Sequence, residues 1–321
     1  MDSTPRVSVG VPVRNGERFL TRQLDSLLAQ DFRDFEIVIS DNGSTDQTEA
    51  ICRSYAAADS RIRYHRSDED RGLSWNHNRT FELSRAPFFK WAAYDDEHEP
   101  TYLSKAMAVL ERDKSVVCCH SASVEIDERG VEGRVWPARP RTASPAPHVR
   151  LNEMLRPHPV DMMYGVMRAD VLAHTGLHRP FPDSDHALLA ELALLGRLVE
   201  LEDTLFRRRR HRANGAVALP TSRSKWAYFA GGGASKRTMP GWPLNREMVR
   251  IVRESNTRGL ERLLCWRALT IWALRKAPRH GARGLEKALT AVGREDAARY
   301  VRRPRQLVAV LRAGKASSAR S

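Results

Sequence analysis

Three acidic stretches of this 321-residue chain carry side chains that could do chemistry. Residues 95–99 read DDEHE directly after the apolar run FFKWAA, and such oxygen ligands suit a hard divalent cation that would bridge them to a diphosphate. Asp41 follows another apolar run, FEIVIS, where its oxygens could accept hydrogen bonds from a pyrimidine base or a ribose hydroxyl. Asp185 opens the segment DHALLAELALLGR and could serve as a general base.

Each of these acids also has a purely structural interpretation. Acidic residues commonly cap a helix or lie in its first turn, where the helix dipole favours them. We expect Asp46 to do this in the turn SDNGSTD, and spacing alone does not choose between a cap and a chemical role for the other acids. The turn VRNGE at residues 13–17 is equally open, because its amides could face a nucleotide or simply connect a strand to a helix.

Short apolar runs alternate with helical patterns in the N-terminal part of the chain. We predict strands at residues 7–13, 35–40, 61–65, 88–93, 116–120 and 124–126, and helices at residues 17–30, 45–58, 73–84 and 100–112. Ser44 or Thr45 is the expected cap of the second helix. This alternation indicates βαβ units, and hence an α/β fold with a mostly parallel sheet flanked by helices. Ligands of such sheets bind beyond the carboxyl ends of the strands, which is where the acids fall.

The second half of the chain is less regular. Residues 133–159 contain six prolines and are predicted to form a loop or flap, whereas residues 151–199 return to helical patterning. Residues 231–243 are predicted to be irregular, and residues 259–276 to form a basic helix with two tryptophans. We therefore expect a body at residues 1–212 and a basic, mostly helical C-terminal extension at residues 213–321.

The net charge of +14 is unevenly distributed. Residues 205–321 hold 28 basic and 6 acidic residues, a balance of +22, whereas residues 1–204 balance at −8. A segment this basic favours an anionic partner, either lipid headgroups, nucleic acid or a phosphorylated substrate. Because the segment has tryptophans and lacks zinc, helix-turn-helix and RNP signatures, we expect an anionic membrane surface rather than nucleic acid.

Other features exclude several classes of protein. Four cysteines without C-x-x-C spacing argue against a zinc or disulfide framework and fit a reducing compartment. The first residues lack the pattern of a secretory signal and no run approaches 18 apolar residues, so we expect a cytoplasmic protein, peripheral at most on the inner face of the cell membrane. The segment GVPVRNG is neither the G-x-G-x-x-G of a dehydrogenase nor the glycine-rich phosphate loop of a nucleotidyltransferase.

The segments VSVGVPVRNGERFL and FEIVISDNGSTDQTEAI together resemble the N-terminus of the family 2 glycosyltransferases. GLS at residues 72–74, with Asn78 and Arg79, is similar to a further segment of that family. KWAAYDD occupies the place of its D-x-D motif, and DSDHALLAELALLGR is similar to its late acid-bearing helix. The resemblance covers about residues 6–212. It implies a GT-A type nucleotide-diphospho-sugar transferase fold for the body.

The activity implied by the resemblance is inverting transfer of a sugar from a nucleoside-diphosphate sugar to an acceptor hydroxyl. A UDP-sugar is the favoured donor, and the acceptor would be a glycan, a lipid-linked molecule or a small molecule. The alternative is a protein that binds nucleic acid or an anionic surface and whose glycosyltransferase-like body is not catalytic.

The resemblance also implies roles for individual residues. Five residues would bind the donor nucleotide: Pro12, Arg14, Glu17, Asp41 and Arg79. Among them, Asp41 would contact the base. Asp95 would approach the ribose and the sugar, and Asp96 would hold Mg²⁺ or Mn²⁺ against the diphosphate together with His211. Asp185 would be the catalytic base. His211 lies in the run FRRRRHR, whose arginines we expect mostly on a solvated strand edge.

Overall fold

The computed structural model describes residues 4–136, 140–157, 160–212, 219, 221–231 and 242–276. Within these residues nine strands form one sheet. The strands are β1 (Val7–Val13), β2 (Phe35–Asn42), β3 (Ile62–Ser67), β4 (Phe88–Trp91), β5 (Glu97–His98), β6 (Val116–Ile126), β7 (Glu132–Val135), β8 (Val166–Arg168) and β9 (Arg197–Arg209).

Helices cover the sheet and follow most of its strands. They are α1 (Leu20–Leu28), α2 (Thr48–Ala58), α3 (Leu73–Glu82), α4 (Tyr102–Arg112), α5 (Pro147–Met154), α6 (Ala169–Ala173), α7 (Ser184–Leu195), α8 (Ser222–Ala230), α9 (Trp242–Glu254) and α10 (Gly259–Lys276). Short 3₁₀ turns occupy Pro140–Ala143 and Asp161–Tyr164. None of the helices in the described ranges is both long enough and apolar enough to cross a bilayer.

The strand order is β3-β2-β1-β4-β8-β6-β9-β5, with β7 paired to β6. Strand β1 lies parallel to β2 and β4, β2 lies parallel to β3, and β6 lies parallel to β9. Because β8 is antiparallel to both β4 and β6, strands β6 and β9 run in the same direction as β4. The predicted mostly parallel sheet is thereby confirmed, and the carboxyl ends of β1, β2, β4 and β9 lie at one edge.

Both faces of the central strands are covered, which explains their continuous apolar sequences. Every residue of β1 and β2 is buried. The odd-numbered valines of β1 pack with the apolar residues of α1 and α4 on one face. On the opposite face α3 crosses β1 so closely that a Cβ atom on Gly10 would lie 2.5 Å from the hydroxyl oxygen of Thr80. The missing side chain of Gly10 therefore fixes how closely α3 approaches the sheet.

The helices that follow residue 212 share the core of the body. Leu244 and Met248 of α9, and Leu269 and Trp272 of α10, are buried in one cluster with the apolar residues of α7. Burial of each such side chain contributes about 2 kcal/mol. The predicted basic helix at residues 259–276 therefore has one face committed to packing against α5, α7 and α9.

The structure differs from the expected loop at residues 133–159. This segment contains the end of β7, a 3₁₀ turn and α5, while residues 137–139, 158 and 159 lie outside the described part. Pro147 stands in the first turn of α5, where its missing N–H costs no helical hydrogen bond. The helical expectation for residues 151–199 was also partly wrong, because β8 and the start of β9 lie within it. Most of the irregular segment 231–243 lies outside the described residues.

Candidate active site

The candidate active site lies where the ends of β4 and β9 meet. The chain leaves β4 through Tyr94, Asp95 and Asp96, and it leaves β9 through Arg210 and His211. The imidazole Nε2 of His211 lies 2.8 Å from a carboxylate oxygen of Asp95. Both side chains are nearly buried, with exposed fractions of 3% and 12%. The fold thus brings together a carboxylate and an imidazole that are far apart in the sequence.

Arg209, the last residue of β9, contacts three consecutive residues of the acidic turn, residues 95–97. Its side chain is fully buried. Its backbone N–H donates to a carboxylate oxygen of Asp96 at 2.8 Å, and its guanidinium donates to the backbone carbonyl of Asp95 at 2.9 Å and forms an ion pair with Glu97. The guanidinium also lies 4.9 Å from the ring centre of Phe19. Arg209 therefore fixes the backbone of this turn and the carboxylates of Asp96 and Glu97.

The expectation of a solvated edge for the arginine run was wrong. Each of the four arginines at the end of β9 forms an ion pair with a carboxylate. The partners are Glu99 and Glu132 for Arg207, Asp161 for Arg208, Glu97 for Arg209 and Glu125 for Arg210. Side chains from β5, β6, β7 and the 3₁₀ turn at Asp161–Tyr164 surround this strand, so its arginines face acids rather than water.

Asp95 and Asp96 differ in environment. Burial raises the pKa of Asp96, and the negative charge of Asp95 raises it further. Beneath them lies Lys90 of β4, fully buried, with its ammonium donating to the backbone carbonyl of Tyr164 and lying 4.3 Å from the ring centre of Tyr102. Burial lowers the pKa of Lys90 to about 7, although the charge of Asp96 opposes that shift. Asp96 thus faces the interior, whereas Asp95 faces His211.

The turn after β1 is tied to the turn after β2. Glu17 accepts a hydrogen bond from the backbone N–H of Gln47 at 3.0 Å, and Asp46 accepts one from the backbone N–H of Glu17 at 3.2 Å. Asp46 also accepts from the backbone N–H of Thr48, the first residue of α2, at 3.0 Å. The prediction that Asp46 serves this helix start is confirmed, whereas Ser44 and Thr45 do not cap it.

Asp41 is buried within a hydrogen-bond network. One carboxylate oxygen accepts from the backbone N–H of Ser44 at 2.9 Å, and the other accepts from the hydroxyl of Tyr64 at 2.7 Å. Arg66 lies 3.6 Å from the second oxygen. These partners keep the carboxylate fixed and buried at the end of β2.

Three other residues expected at the nucleotide lie around this network. Pro12 is in register with Ser40 inside the sheet. Arg14 extends from the end of β1 and pairs with Asp70 at 3.2 Å. Arg79 lies on an exposed part of α3 and pairs with Glu82 of the same helix at 3.5 Å. Of the three, Arg14 is the one whose charge lies at the strand ends.

Asp185 lies in the first turn of α7. One of its oxygens accepts from the backbone N–H of His186 at 2.8 Å and lies 3.1 Å from the Nδ1 atom of the same residue. Burial by itself would raise the pKa of Asp185, but the hydrogen bond and charge of His186 outweigh it, so the pKa is lowered. Asp185 is therefore ionised at neutral pH.

Two buried histidines link Asp185 to the end of β4. The rings of His77 and His178 lie 4.8 Å apart, and the ring of His178 lies 4.9 Å from that of Trp91, the last residue of β4. Burial lowers the pKa of His77 to about 4 and that of His178 to about 3, while the charge of Asp185 opposes both shifts. Both imidazoles are consequently neutral at pH 7, and they lie between Asp185 and the acidic turn. We call the region bounded by Asp185, these two imidazoles and the acidic turn the crevice.

Helix α8 packs against α3. At its C-terminal end a Cβ atom on Gly72 would lie 2.3 Å from the backbone nitrogen of Gly231, so two glycines let the chains cross. Near the middle of α8, the ring centre of Trp226 lies 6.5 Å from the ring centre of Phe181, which precedes α7. Partial burial, with the charge of Asp95, raises the pKa of Tyr228 to about 12, although the residue is still 36% exposed. Tyr228 therefore lies near the acidic turn.

The sequence patterns did not point to Arg209, His77, His178, His186 or Tyr228. His77 lies inside the segment 72–79, which could have drawn attention to it. The remaining four have no distinctive spacing, because their positions in the crevice depend on how β9, α7 and α8 pack.

Comparison with known proteins identifies the family. Residues 8–166 match the family described as Glycosyl transferase family 2. This chain belongs to that family. The matched segment of this family 2 chain includes nearly all of β1, strands β2–β7, the acidic turn and the first residue of β8, whereas His178, Asp185 and His211 lie beyond it.

Two curated relatives illustrate the extent of the similarity. The putative glycosyltransferase EpsE of Bacillus subtilis is 31% identical over 142 residues, which cover 44% of this chain and 51% of EpsE. The chondroitin synthase of Escherichia coli is 29% identical over 136 residues, which cover 41% of this chain and 20% of that protein. This family 2 chain thus spans about half or less of the length of these relatives.

Solved structures establish the GT-A fold. Residues 1–349 of S. aureus TarS, in complex with UDP-GlcNAc, superpose with a TM-score of 0.59 at 17% identity, covering 94% of this chain and 92% of that one. The mannosyltransferase PcManGT from Pyrobaculum calidifontis, with GDP-Man and Mn²⁺, has a TM-score of 0.54 at 17% identity and coverage of 97% and 85%. The expected fold class is confirmed.

Proposed function

We propose that this chain transfers a sugar from a nucleoside-diphosphate sugar to an acceptor hydroxyl. The observation that carries the proposal is the pairing of Asp95 with His211 in a crevice whose other wall carries ionised Asp185. Asp95 and His211 would hold the cation that the departing diphosphate needs, and Asp185 would accept the proton of the acceptor hydroxyl. Membership in family 2 and the nucleotide sugars in the TarS and PcManGT structures support a donor of this class.

The residues of the acidic turn fit a divalent cation. Carboxylate oxygen and imidazole nitrogen are ligands that Mn²⁺ accepts, and Mg²⁺ is commonly held by one or two carboxylates with substrate phosphates. In the ranges that the structure describes, no three such side chains converge on one point, so the diphosphate would complete the coordination. When bound, the cation would stabilise the charge of the leaving diphosphate. The Mn²⁺ in the PcManGT structure supports this use.

We assign the cation to Asp95 and His211, with Asp96 as a supporting residue. Asp95 faces His211 at 2.8 Å, whereas Asp96 is buried and accepts a hydrogen bond from the backbone N–H of Arg209. This reverses the division expected from the resemblance, which gave the cation to Asp96. On this assignment the raised pKa of Asp96 reflects its burial beside Asp95 rather than contact with a ligand.

Asp185 takes the proton of the acceptor hydroxyl in this proposal. Its lowered pKa keeps it ionised at neutral pH, and His186 fixes the carboxylate through one of its oxygens. A single base with a single displacement inverts the anomeric centre, because the acceptor attacks opposite the leaving diphosphate. Pro12, Arg14, Glu17, Asp41 and Arg79 remain the proposed surroundings of the nucleotide, with UDP as the first nucleotide to test.

The proposal is tested by incubating the full chain with a panel of nucleotide sugars and following release of the nucleoside diphosphate. The expected result is release that requires Mn²⁺ or Mg²⁺ and that falls by roughly 10²–10⁴-fold in Asp185→Asn. Transfer to an acceptor should give a product of opposite anomeric configuration by NMR. Release of a nucleoside monophosphate, or retention of configuration, would contradict the proposed chemistry.

A further inference from the structure

The outward face of α10 carries the two most exposed large apolar side chains in the described part of the molecule. Leu260 is 70% exposed and Leu263 is 67% exposed. They are three residues apart on one helix, so they lie side by side one turn from each other. The opposite face of the same helix buries Cys265, Leu269 and Trp272. The two leucines therefore point away from the core rather than into an incompletely packed part of it.

Exposed basic residues flank these leucines in the sequence. Arg267 lies four residues after Leu263, on the same face of α10, and Arg258 stands just before the helix; both are exposed. Arg262 turns towards α9, where it donates to the backbone carbonyl of Arg253 at 2.9 Å. We call the two leucines together with Arg258 and Arg267 the α10 patch.

The acids of α9 and α10 do not offset this charge at the patch. Residues 242–276 contain eight basic and three acidic residues. Glu261 pairs with His148 of α5, Glu247 pairs with Arg179 and Arg250, and Glu254 pairs with Arg250 and Arg253. All three carboxylates thus have basic partners other than Arg258 and Arg267, so the charges of these two arginines are available to a partner outside the molecule.

We propose that the α10 patch docks on a bilayer surface rich in anionic phospholipid. Exposed leucines beside arginines are the composition of a surface that inserts apolar groups at the headgroup boundary while its cations meet phosphates. The positive balance favours this partner over a second copy of the same chain, because two such faces would repel each other. The proposal does not depend on the proposed glycosyl transfer.

The patch is separate from the crevice. Leu260 and Leu263 lie at the N-terminal end of an 18-residue helix, whereas Lys276 lies at its other end, near His186. The pKa of that imidazole is raised because the hydrogen bond and charge of Asp185 outweigh the opposing effects of burial and of Lys276. A helix of this length extends about 27 Å. Changes at the patch are therefore expected to leave nucleotide-sugar release unaltered.

The proposal is tested by flotation of the full chain with vesicles of phosphatidylcholine, or with vesicles in which phosphatidylglycerol replaces about a third of it. We expect flotation with the anionic vesicles alone and a reduction of about tenfold or more in the double variant Leu260→Glu, Leu263→Glu. Val131→Glu is the matched control, because Val131 is 63% exposed on another part of the molecule. Thermal unfolding of each variant checks that the fold is kept.

Two results would overturn the proposal. One is equal flotation of the double variant and the wild type, which would assign any lipid binding to another part of the chain. The other is a wild type that does not float but forms a dimer by light scattering that the double variant loses, which would assign the patch to a second copy. The variant Arg258→Gln, Arg267→Gln should weaken flotation as well, and weaken it more at low than at high salt.

Discussion

His211 and Asp95 are 116 positions apart in sequence, and their side chains meet at 2.8 Å. The contact exists because β9 returns beside β6 and ends at the same edge of the sheet as β4. Neither residue reaches the other through local structure, so the pair depends on the register of β9. A carboxylate from the first half of the chain and an imidazole from the second half thus form one site.

Asp185→Asn should bind a donor as the wild type does and should lose turnover by roughly 10²–10⁴-fold, because only the proton acceptor is removed. Donor binding by calorimetry and diphosphate release under saturating donor separate the two effects. Unchanged turnover would remove Asp185 from the role of base.

His186 should set the pH dependence of the reaction. Its hydrogen bond and charge lower the pKa of Asp185 below the ordinary value of 3.8 against the opposing effect of burial. In His186→Ala that support is lost, the pKa of Asp185 rises, and the acidic limb of the kcat/KM profile should move to higher pH. His174→Ala, an exposed histidine elsewhere, is the control. Coincident acidic limbs in the wild type and His186→Ala would show that the contact has no such effect.

Arg209→Met should destabilise the fold by about 3–5 kcal/mol, since it removes a fully buried guanidinium from the partly buried Glu97 and from the backbone carbonyls of Asp95 and Asp127. The neighbouring Arg210→Met should cost about 1 kcal/mol or less, because Arg210 is more exposed and its ion pair with Glu125 is partly solvated. Urea unfolding of both variants measures the difference. Equal losses of unfolding free energy in the two variants would mean that the buried guanidinium of Arg209 does not stabilise the acidic turn more than an exposed arginine does.

Lys90 should make stability depend on pH in the weakly basic range. Its pKa is about 7 in the folded chain and 10.5 ordinarily, so between these values the unfolded chain binds a proton that the folded chain does not. The free energy of unfolding should therefore rise with pH above about 7, by up to about 1 kcal/mol per pH unit, relative to Lys90→Met. Parallel profiles of the two proteins between pH 7 and 9 would contradict this.

The central strands could be predicted from the sequence because their surroundings are uniform. Strand β1 was predicted with the bounds that the structure has, and so was α10. The segment around α5 was missed because its prolines suggest a loop, yet Pro147 stands at the one helical position that tolerates it. Strand β8 has three residues and its place between β4 and β6 comes from tertiary pairing, which no local pattern contains.

Site residues could be predicted where a side chain able to bind a ligand directly follows a predicted strand. Residues 95–96 follow an apolar strand, so their place at the sheet edge could be inferred. Arg209 could not be inferred, because an arginine run normally indicates a solvated edge and this one is enclosed by acids from four other segments. Asp185 was expected from its place in the sequence, whereas the neutral histidines between it and Trp91 become visible only when α3 and α7 are packed together.

The most direct measurement of the central claim is calorimetric titration of UDP-GlcNAc and GDP-Man into the full chain with Mn²⁺. We expect binding of at least one of these donors to the wild type and to Asp185→Asn, and a loss of about tenfold or more in Asp95→Asn, in His211→Ala and after chelation of the metal. Asp203→Asn, which removes an exposed carboxylate paired with Lys105, should bind as the wild type does. Binding that is indifferent both to Asp95→Asn and to the chelator would contradict the account.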